Sequence, residues 1–149
     1  MLCCRPQMFK VLQQVGTVVL CLQTTLRGDM SREEVIRTMA AALAADKADA
    51  VAAAALAREA EENTYIGRGL AVPHARLASL AQARVCLAAC PEGVDWGGQR
   101  ATLIAMLLVP EERPELHLRL LGTLARQLAA LKGSSPELPA LAAALAAAR

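Results

Sequence analysis

Apolar and polar positions along the chain follow two periods, one typical of strands and the other typical of helices. Short aliphatic runs at 17–22, 85–90 and 103–109 predict three strands. The run at 103–109 contains no polar residue, as expected for a strand that is covered on both faces. A fourth, brief strand is predicted at 70–72 and ends at Pro73.

Two helices are predicted between the first strand and residue 62. Ser31 and Glu34 form a capping box, in which two side chains satisfy the free backbone N–H groups at a helix start. Apolar residues continue from there at helical spacing, at Val35, Ile36, Met39 and Leu43. The alanine-rich segment 44–60 predicts a second helix that begins near Asp46 or Asp49, because alanine has the highest helix propensity.

The remaining segments predict a loop, a turn and two further helices. Residues 63–69 indicate a loop, and residues 92–98 have the composition of a turn. Pro114 suits the first position of a third helix, and Ser135 begins a final one. The stripe of the third helix is His117, Leu121, Leu124, Leu128 and Leu131. Strands interleaved with helices make the chain α/β or α+β, with an extension at 1–15 and one domain at 16–149.

Composition indicates a globular protein and excludes several functions. A chain of 149 residues that is 55% hydrophobic and 20% charged can bury a core and is too apolar to be disordered. A net charge of +2 and single Phe, Tyr and Trp residues exclude a typical nucleic-acid surface. Glutamines interrupt the apolar segment 11–26, so we predict neither a membrane span nor a signal peptide and expect a cytoplasmic protein.

The five cysteines do not form a disulfide framework, because their number is odd and Cys3 and Cys4 are adjacent. Cys86 and Cys90 fall on a predicted strand and are interpreted as buried thiols that pack as small hydrophobic residues.

The two histidines are the strongest candidates for chemistry. His74 follows Pro73 at the predicted end of a strand, and ligands of open α/β sheets collect beyond the carboxyl ends of strands. His117 lies in the first turn of the third helix, where free N–H groups and the positive end of the helix dipole favour an anion. Two imidazoles converging there would suit a phosphate held on one of them. Each histidine alone also has an ordinary interpretation, as a core or surface residue.

The residues around His74 match the signature of a known family. The signature has an acidic or amide residue, six residues of any kind, an aliphatic residue and Gly, two residues of any kind, then aliphatic-Ala-aliphatic-Pro-His and a small residue. Those positions are Glu59, Ile66, Gly67 and residues 70–75 in this chain. The chain therefore resembles the enzyme IIA domain, mannitol/fructose class, of the bacterial phosphoenolpyruvate:sugar phosphotransferase system, over roughly residues 18–131.

The resemblance implies a phosphocarrier built on a mixed sheet of about five strands with helices on both faces. His74 would accept a phosphoryl group from a histidine phosphocarrier protein and pass it to an enzyme IIB in sugar uptake. We nominate His117, the backbone N–H groups near it, the Thr64 hydroxyl and Arg58 as donors to the phosphoryl oxygens. No metal or cofactor is implied, since the N–P bond is already activated.

Several alternatives stay open. Arg58 could instead pair with Glu59 or Glu62 at the end of a helix, and Thr64 could cap a turn. Trp96 stands where the family usually has Phe, which either packing or partner docking would explain. Nitrogen-branch relatives share the signature and report their phosphorylation state by binding other proteins, so a regulatory module is the second hypothesis. A structural relative with an unused histidine is the third.

Overall fold

The structure is a computed structural model of the chain and describes residues 18–23, 26–78, 80 and 83–113, together with positions 115, 118, 122 and 126. Its helices and strands, in chain order, are β1 (Val18–Gln23), α1 (Arg32–Leu43), a 3₁₀ turn (Ala45–Lys47), α2 (Ala48–Glu61), β2 (Tyr65–Gly67), β3 (Leu70–Ala71), β4 (His74–Leu77), β5 (Ala83–Trp96) and β6 (Gln99–Pro110).

The strands form one mixed sheet in the order β1-β5-β6-β3-β2, with β4 also paired to β6. β5 and β6 are antiparallel, whereas β1 is parallel to β5 and both β3 and β4 are parallel to β6. Because β5 occupies one edge of β6, β3 and β4 lie end to end along the other edge. The six segments therefore fill five positions, which confirms the predicted α/β fold with a mixed sheet of five strands.

The two predicted helices between β1 and β2 are confirmed. The Ser31 hydroxyl accepts a hydrogen bond from the Glu34 backbone N–H at 3.1 Å and caps α1. The second helix, α2, follows the 3₁₀ turn, begins between the two predicted starting points and ends one residue beyond the predicted segment. Both helices pack on one face of the sheet, where their apolar residues join Cys86, Cys90 and Met106 in the main core. The two cysteines are therefore buried, as predicted.

The opposite face of the sheet is covered as well. Leu87, Ala105 and Leu107 are fully buried although they alternate with the residues that pack under α1 and α2. Burial on both faces accounts for the unbroken apolar run of β6. Positions 115, 118, 122 and 126 have helical backbone. The rest of the predicted third helix, the final helix and the extension 1–15 lie outside the described residues.

The predicted loop at 63–69 is wrong for Tyr65–Gly67, which form one strand of a hairpin, whereas residues 63–64 and 68–69 lie outside the strands. β2 pairs antiparallel with β3, and a turn at Arg68 and Gly69 joins them. Gly67, Arg68 and Gly69 have positive φ angles of 111°, 53° and 81°. Glycine adopts positive φ angles without steric cost, so two of the three residues suit this turn. A strand of three residues is too short to show the alternation of apolar and polar residues that identifies a strand. The glycines and other turn residues around it therefore predict a loop.

The predicted turn at 92–98 is confirmed only for Gly97 and Gly98 and is wrong for residues 92–96, because β5 continues to Trp96. The register with β6 shifts between Ala89 and Val94. This irregularity accommodates Gly93, whose φ angle is 86°, inside the strand. Within the described ranges the longest helix has 14 residues, and no helix is long and apolar enough to span a membrane.

Candidate functional site

The candidate site lies at the interruption between β3 and β4, which consists of Val72 and Pro73. Leu70 pairs with Leu103 and His74 with Leu107, so pairing resumes in the same register after the interruption. The Pro73 carbonyl still accepts the Leu107 N–H at 2.9 Å, although proline cannot donate. His74 therefore opens β4 within the sheet instead of standing beyond the end of a strand, which corrects the sequence-based placement.

Strand register also fixes the face on which His74 stands. Paired residues of parallel strands point to the same face, so His74 shares a face with its partner Leu107. Its neighbour Ala75 pairs with Leu108, and both join the core beneath α1 and α2. The imidazole consequently belongs to the sheet face opposite these two helices.

The His74 imidazole is buried, with 9% of the residue exposed. Its Nδ1 atom lies 3.3 Å from the Val72 carbonyl oxygen. A carbonyl oxygen only accepts, so Nδ1 carries a hydrogen and the neutral ring holds its lone pair on Nε2. This tautomer is the one that presents Nε2 as a nucleophile.

Burial lowers the pKa of His74 below its ordinary value of 6.5. The hydrogen bond to Val72 raises this pKa, and the negative charge of Glu59 raises it too, while the positive charges of Arg58 and Arg76 lower it. The net direction is downward, so the imidazole is mainly neutral at pH 7.

Arg58 occupies the last turn of α2, close enough to His74 to lower its pKa electrostatically. Its guanidinium donates to the Glu62 carbonyl at 3.2 Å and lies 3.9 Å from the Glu62 carboxylate. The alternative pairing at a helix end is thus confirmed with Glu62, and Glu59 instead bonds elsewhere. The side chain remains one-third exposed.

Thr64 is buried against Glu59. Its hydroxyl donates a hydrogen bond to the Glu59 carboxylate, and its backbone N–H donates to the same group at 3.0 Å. Since a hydroxyl has one hydrogen, donation to a phosphoryl oxygen would require this bond to break. The predicted phosphoryl contact of Thr64 therefore stays a prediction, and the structure shows a different bond.

Trp96 completes this buried group, which we call the Glu59 cluster: Glu59, Thr64 and Trp96. The indole Nε1–H lies 3.3 Å from both the Glu59 carboxylate and the Thr64 hydroxyl. No part of Trp96 is exposed, so packing explains this residue and docking does not. The Arg32 guanidinium, at the start of α1, approaches the Glu59 carboxylate to 3.7 Å.

Sequence reasoning missed the Glu59 cluster, although a signal was present. Ala52 and Ala55 are buried positions of α2, and Glu59 follows four residues later on the same face. A carboxylate in phase with a buried helical face indicates a buried charge that requires partners. The partner Trp96 lies 37 residues away and could not be found from spacing alone. The predicted approach of His117 to His74 lies outside the described residues.

Comparison with known families now assigns the class. Residues 23–131 match the family described as "Phosphoenolpyruvate-dependent sugar phosphotransferase system, EIIA 2". This match places the chain among the EIIA components, the phosphoryl-relay proteins of these systems. The chain belongs to the EIIA 2 family, as the resemblance around His74 predicted.

The chain matches relatives of different lengths. The PTS system fructose-specific EIIA component of Haloferax volcanii is 37% identical over 86 residues, which are 56% of this chain and 56% of that protein. The fructose-specific EIIABC component of Bacillus subtilis is 36% identical over 78 residues, 50% of this chain and 12% of the relative. The chain therefore spans little more than half of the first relative and a small part of the second.

Solved structures share the fold. Nitrogen regulatory protein IIA-Ntr from Neisseria meningitidis superposes with a TM-score of 0.69 at 25% identity, over 82% of this chain and 92% of that one. IIA mannitol from Escherichia coli gives a TM-score of 0.58 at 22% identity, over 82% and 94% of the two chains. A complex of enzyme IIAMTL with phosphorylated enzyme IIBMTL from E. coli gives a TM-score of 0.57 at 20% identity, over 83% of this chain and 93% of that one.

Proposed function

We propose that this protein is a phosphocarrier that accepts a phosphoryl group on His74 and passes it to a downstream protein. The observation that supports this most directly is the contact of 3.3 Å between Nδ1 of the buried His74 ring and the Val72 carbonyl oxygen, which holds the hydrogen on Nδ1, and burial also lowers the pKa of the ring. A neutral imidazole in that tautomer has a nucleophilic Nε2 at physiological pH.

The chemistry is two displacements at phosphorus. In the first, the Nε2 lone pair of His74 bonds to phosphorus while the N–P bond of the donor's phosphohistidine breaks, and the donor imidazole leaves with that electron pair. In the second, a cysteine thiolate or an imidazole of the acceptor bonds to phosphorus while the N–P bond at His74 breaks. Nδ1 keeps its hydrogen on the Val72 carbonyl throughout, so no proton has to move.

Charge around the ring supports this transfer. Arg58 carries a partly exposed guanidinium near His74, and Arg76 adds a second positive charge two residues along β4. Positive charge of this kind stabilises the phosphoryl oxygens during transfer. In the proposal His117 contributes a further donor, and Thr64 contributes one only if its bond to Glu59 opens.

The proposed donor is a histidine phosphocarrier protein, and the proposed acceptor is an enzyme IIB of the fructose or mannitol class, both in the cytoplasm. The fructose-specific relative and the E. coli complex of IIAMTL with phosphorylated IIBMTL support this assignment. A second candidate is a nitrogen-branch regulator, favoured by the similarity to IIA-Ntr, whose TM-score of 0.69 exceeds the 0.58 of IIA mannitol.

The test is a reconstituted relay with phosphoenolpyruvate, enzyme I and the histidine phosphocarrier. We expect a mass gain of one phosphate that is labile in acid and stable in base, and its absence in His74→Ala. His117→Ala should label more slowly. A wild-type protein that never labels, or a His74→Ala protein that labels normally, would refute the proposal.

The two candidate roles differ in what binds the labelled protein. Transfer of the phosphoryl group to an enzyme IIB of the fructose or mannitol class favours the transport role. Failure to transfer, together with a different protein retained only by the phosphorylated or only by the unphosphorylated form, favours regulation.

A further inference from the structure

We propose that Glu59 is a positioning residue for His74, acting through Thr64 and Val72 to hold the imidazole in the tautomer and place that phosphoryl transfer requires. This inference rests on the phosphocarrier function proposed above. It concerns a group that lies outside the reacting atoms and was not among the nominated site residues.

Glu59 is unusual for an acidic residue because it is buried, with 5% exposed. A buried carboxylate is tolerated only when hydrogen bonds and opposite charge compensate its lost hydration. The N–H and O–H groups of Thr64, the indole of Trp96 and the nearby Arg32 guanidinium provide that compensation. Three hydrogen-bond donors and one nearby cation give the carboxylate a single position.

A continuous series of hydrogen bonds leads from this carboxylate to the imidazole. Glu59 holds Thr64 at both its N–H and its O–H. The Thr64 carbonyl accepts the Val72 N–H at 3.1 Å. The Val72 carbonyl in turn lies 3.3 Å from Nδ1 of His74. The carbonyl that fixes the tautomer therefore belongs to a peptide segment whose position depends on Glu59.

Val72 is the residue that needs this support. It lies between β3 and β4 and is not itself a residue of either strand. Its neighbour Pro73 has no N–H with which to pair. Anchoring Val72 to Thr64, and Thr64 to α2 through Glu59, replaces the strand pairing that is missing at this point.

A carboxylate suits this position better than its amide isostere. A carboxylate only accepts, whereas glutamine presents one oxygen and an NH₂ group. Since both carboxylate oxygens accept hydrogen bonds from Thr64 and the guanidinium of Arg32 lies nearby, the NH₂ group of a glutamine would face at least one donor. Glu59→Gln therefore keeps the shape and disturbs the anchoring.

The experiment compares Glu59→Gln with Glu61→Gln in the full chain. Glu61 lies on the same last turn of α2 but is exposed, so the control removes an equal charge. Nitrogen-15 NMR of labelled histidine side chains reports the tautomers, and His74→Ala assigns the signals because the chain has two histidines. Rates of phosphorylation by the histidine phosphocarrier are measured over a range of donor concentrations.

We expect Glu59→Gln to lower the ratio of the Nδ1–H to the Nε2–H tautomer of His74 about fivefold, the factor that corresponds to one typical net hydrogen bond. The pKa of His74 should fall, since the charge of Glu59 raises it. The apparent kcat should fall with little change in KM, because Glu59 is buried and its replacement leaves the protein surface unchanged. Glu61→Gln should match the wild type in all three measurements.

A Glu59→Gln protein with the wild-type tautomer ratio would overturn the inference, whether or not its rate falls. If Glu59→Gln does not fold, the same measurements on Thr64→Val decide, since this variant puts a methyl group in place of the hydroxyl that donates to Glu59 and accepts from Trp96. An unchanged tautomer ratio there overturns the inference equally. A wild type that fails to label would refute the phosphocarrier function alone, because the tautomer shift is measured without phosphorylation.

Discussion

The Glu59 cluster makes a quantitative prediction for the stability of Trp96→Phe. The indole is completely buried and shares its N–H between Glu59 and the Thr64 hydroxyl. Phenylalanine lacks two buried carbon atoms and the nitrogen of the indole, and the two carbons at about 0.8 kcal/mol each account for about 2 kcal/mol. The lost hydrogen bond adds about 1 kcal/mol. We expect the free energy of unfolding to fall by about 3 kcal/mol.

The assay is urea unfolding followed by far-UV circular dichroism, since the substitution removes the chain's single tryptophan. With a slope of about 2 kcal/mol per molar urea, the midpoint should fall by about 1.5 M. Tyr65→Phe is the matched control, because it removes only the hydroxyl that accepts the Gly69 N–H at 2.8 Å. Its expected cost is about 1 kcal/mol. The packing argument would be refuted if Trp96→Phe lowered the free energy of unfolding no more than Tyr65→Phe does, with the urea dependence unchanged.

Three further predictions concern pH, a helix cap and a turn. Because burial lowers the folded-state pKa of His74 below 6.5, the unfolded chain binds a proton first as pH falls. The free energy of unfolding should therefore decrease below about pH 6.5. Urea unfolding at pH 7.5 and 5.5 should show that this decrease is smaller in His74→Ala than in the wild type. An equal decrease in the two proteins would contradict the role of His74. Ser31→Ala should lower the free energy of unfolding by about 1 kcal/mol, whereas Ser31→Asp should keep the hydrogen bond to the Glu34 N–H. Equal melting temperatures for the two variants would contradict the capping role. Gly97→Ala places a Cβ 2.5 Å from the Asn63 amide, so its melting temperature should fall by several degrees; an unchanged value would show that the turn adapts.

Local signals were sufficient for the elements whose cause is local. The capping box at Ser31 predicted the start of α1, and the apolar run at 103–109 predicted a doubly covered strand. Elements stabilised by distant residues were missed. β2 is three residues long and exists because β3 pairs with it, and β5 passes through its turn-like residues because β6 continues the ladder beyond the irregularity.

The site shows the same division. The signature around His74 could be recognised in the sequence, and so could the pairing of Arg58 with Glu62. The bond between Thr64 and Glu59 was not anticipated, because a hydroxyl beside a presumed phosphate site suggested a ligand contact. What redirects Thr64 is the burial of Glu59, which follows from the docking of α2 and from a tryptophan on a strand far along the chain.

The position of that tryptophan has a practical consequence. It is the chain's single indole, and it contacts the two residues that anchor the segment leading to the imidazole. Its ultraviolet emission therefore comes from one defined place, next to a carboxylate, with no other indole to obscure it. The protein carries its own optical probe of this region, readable in real time without a label.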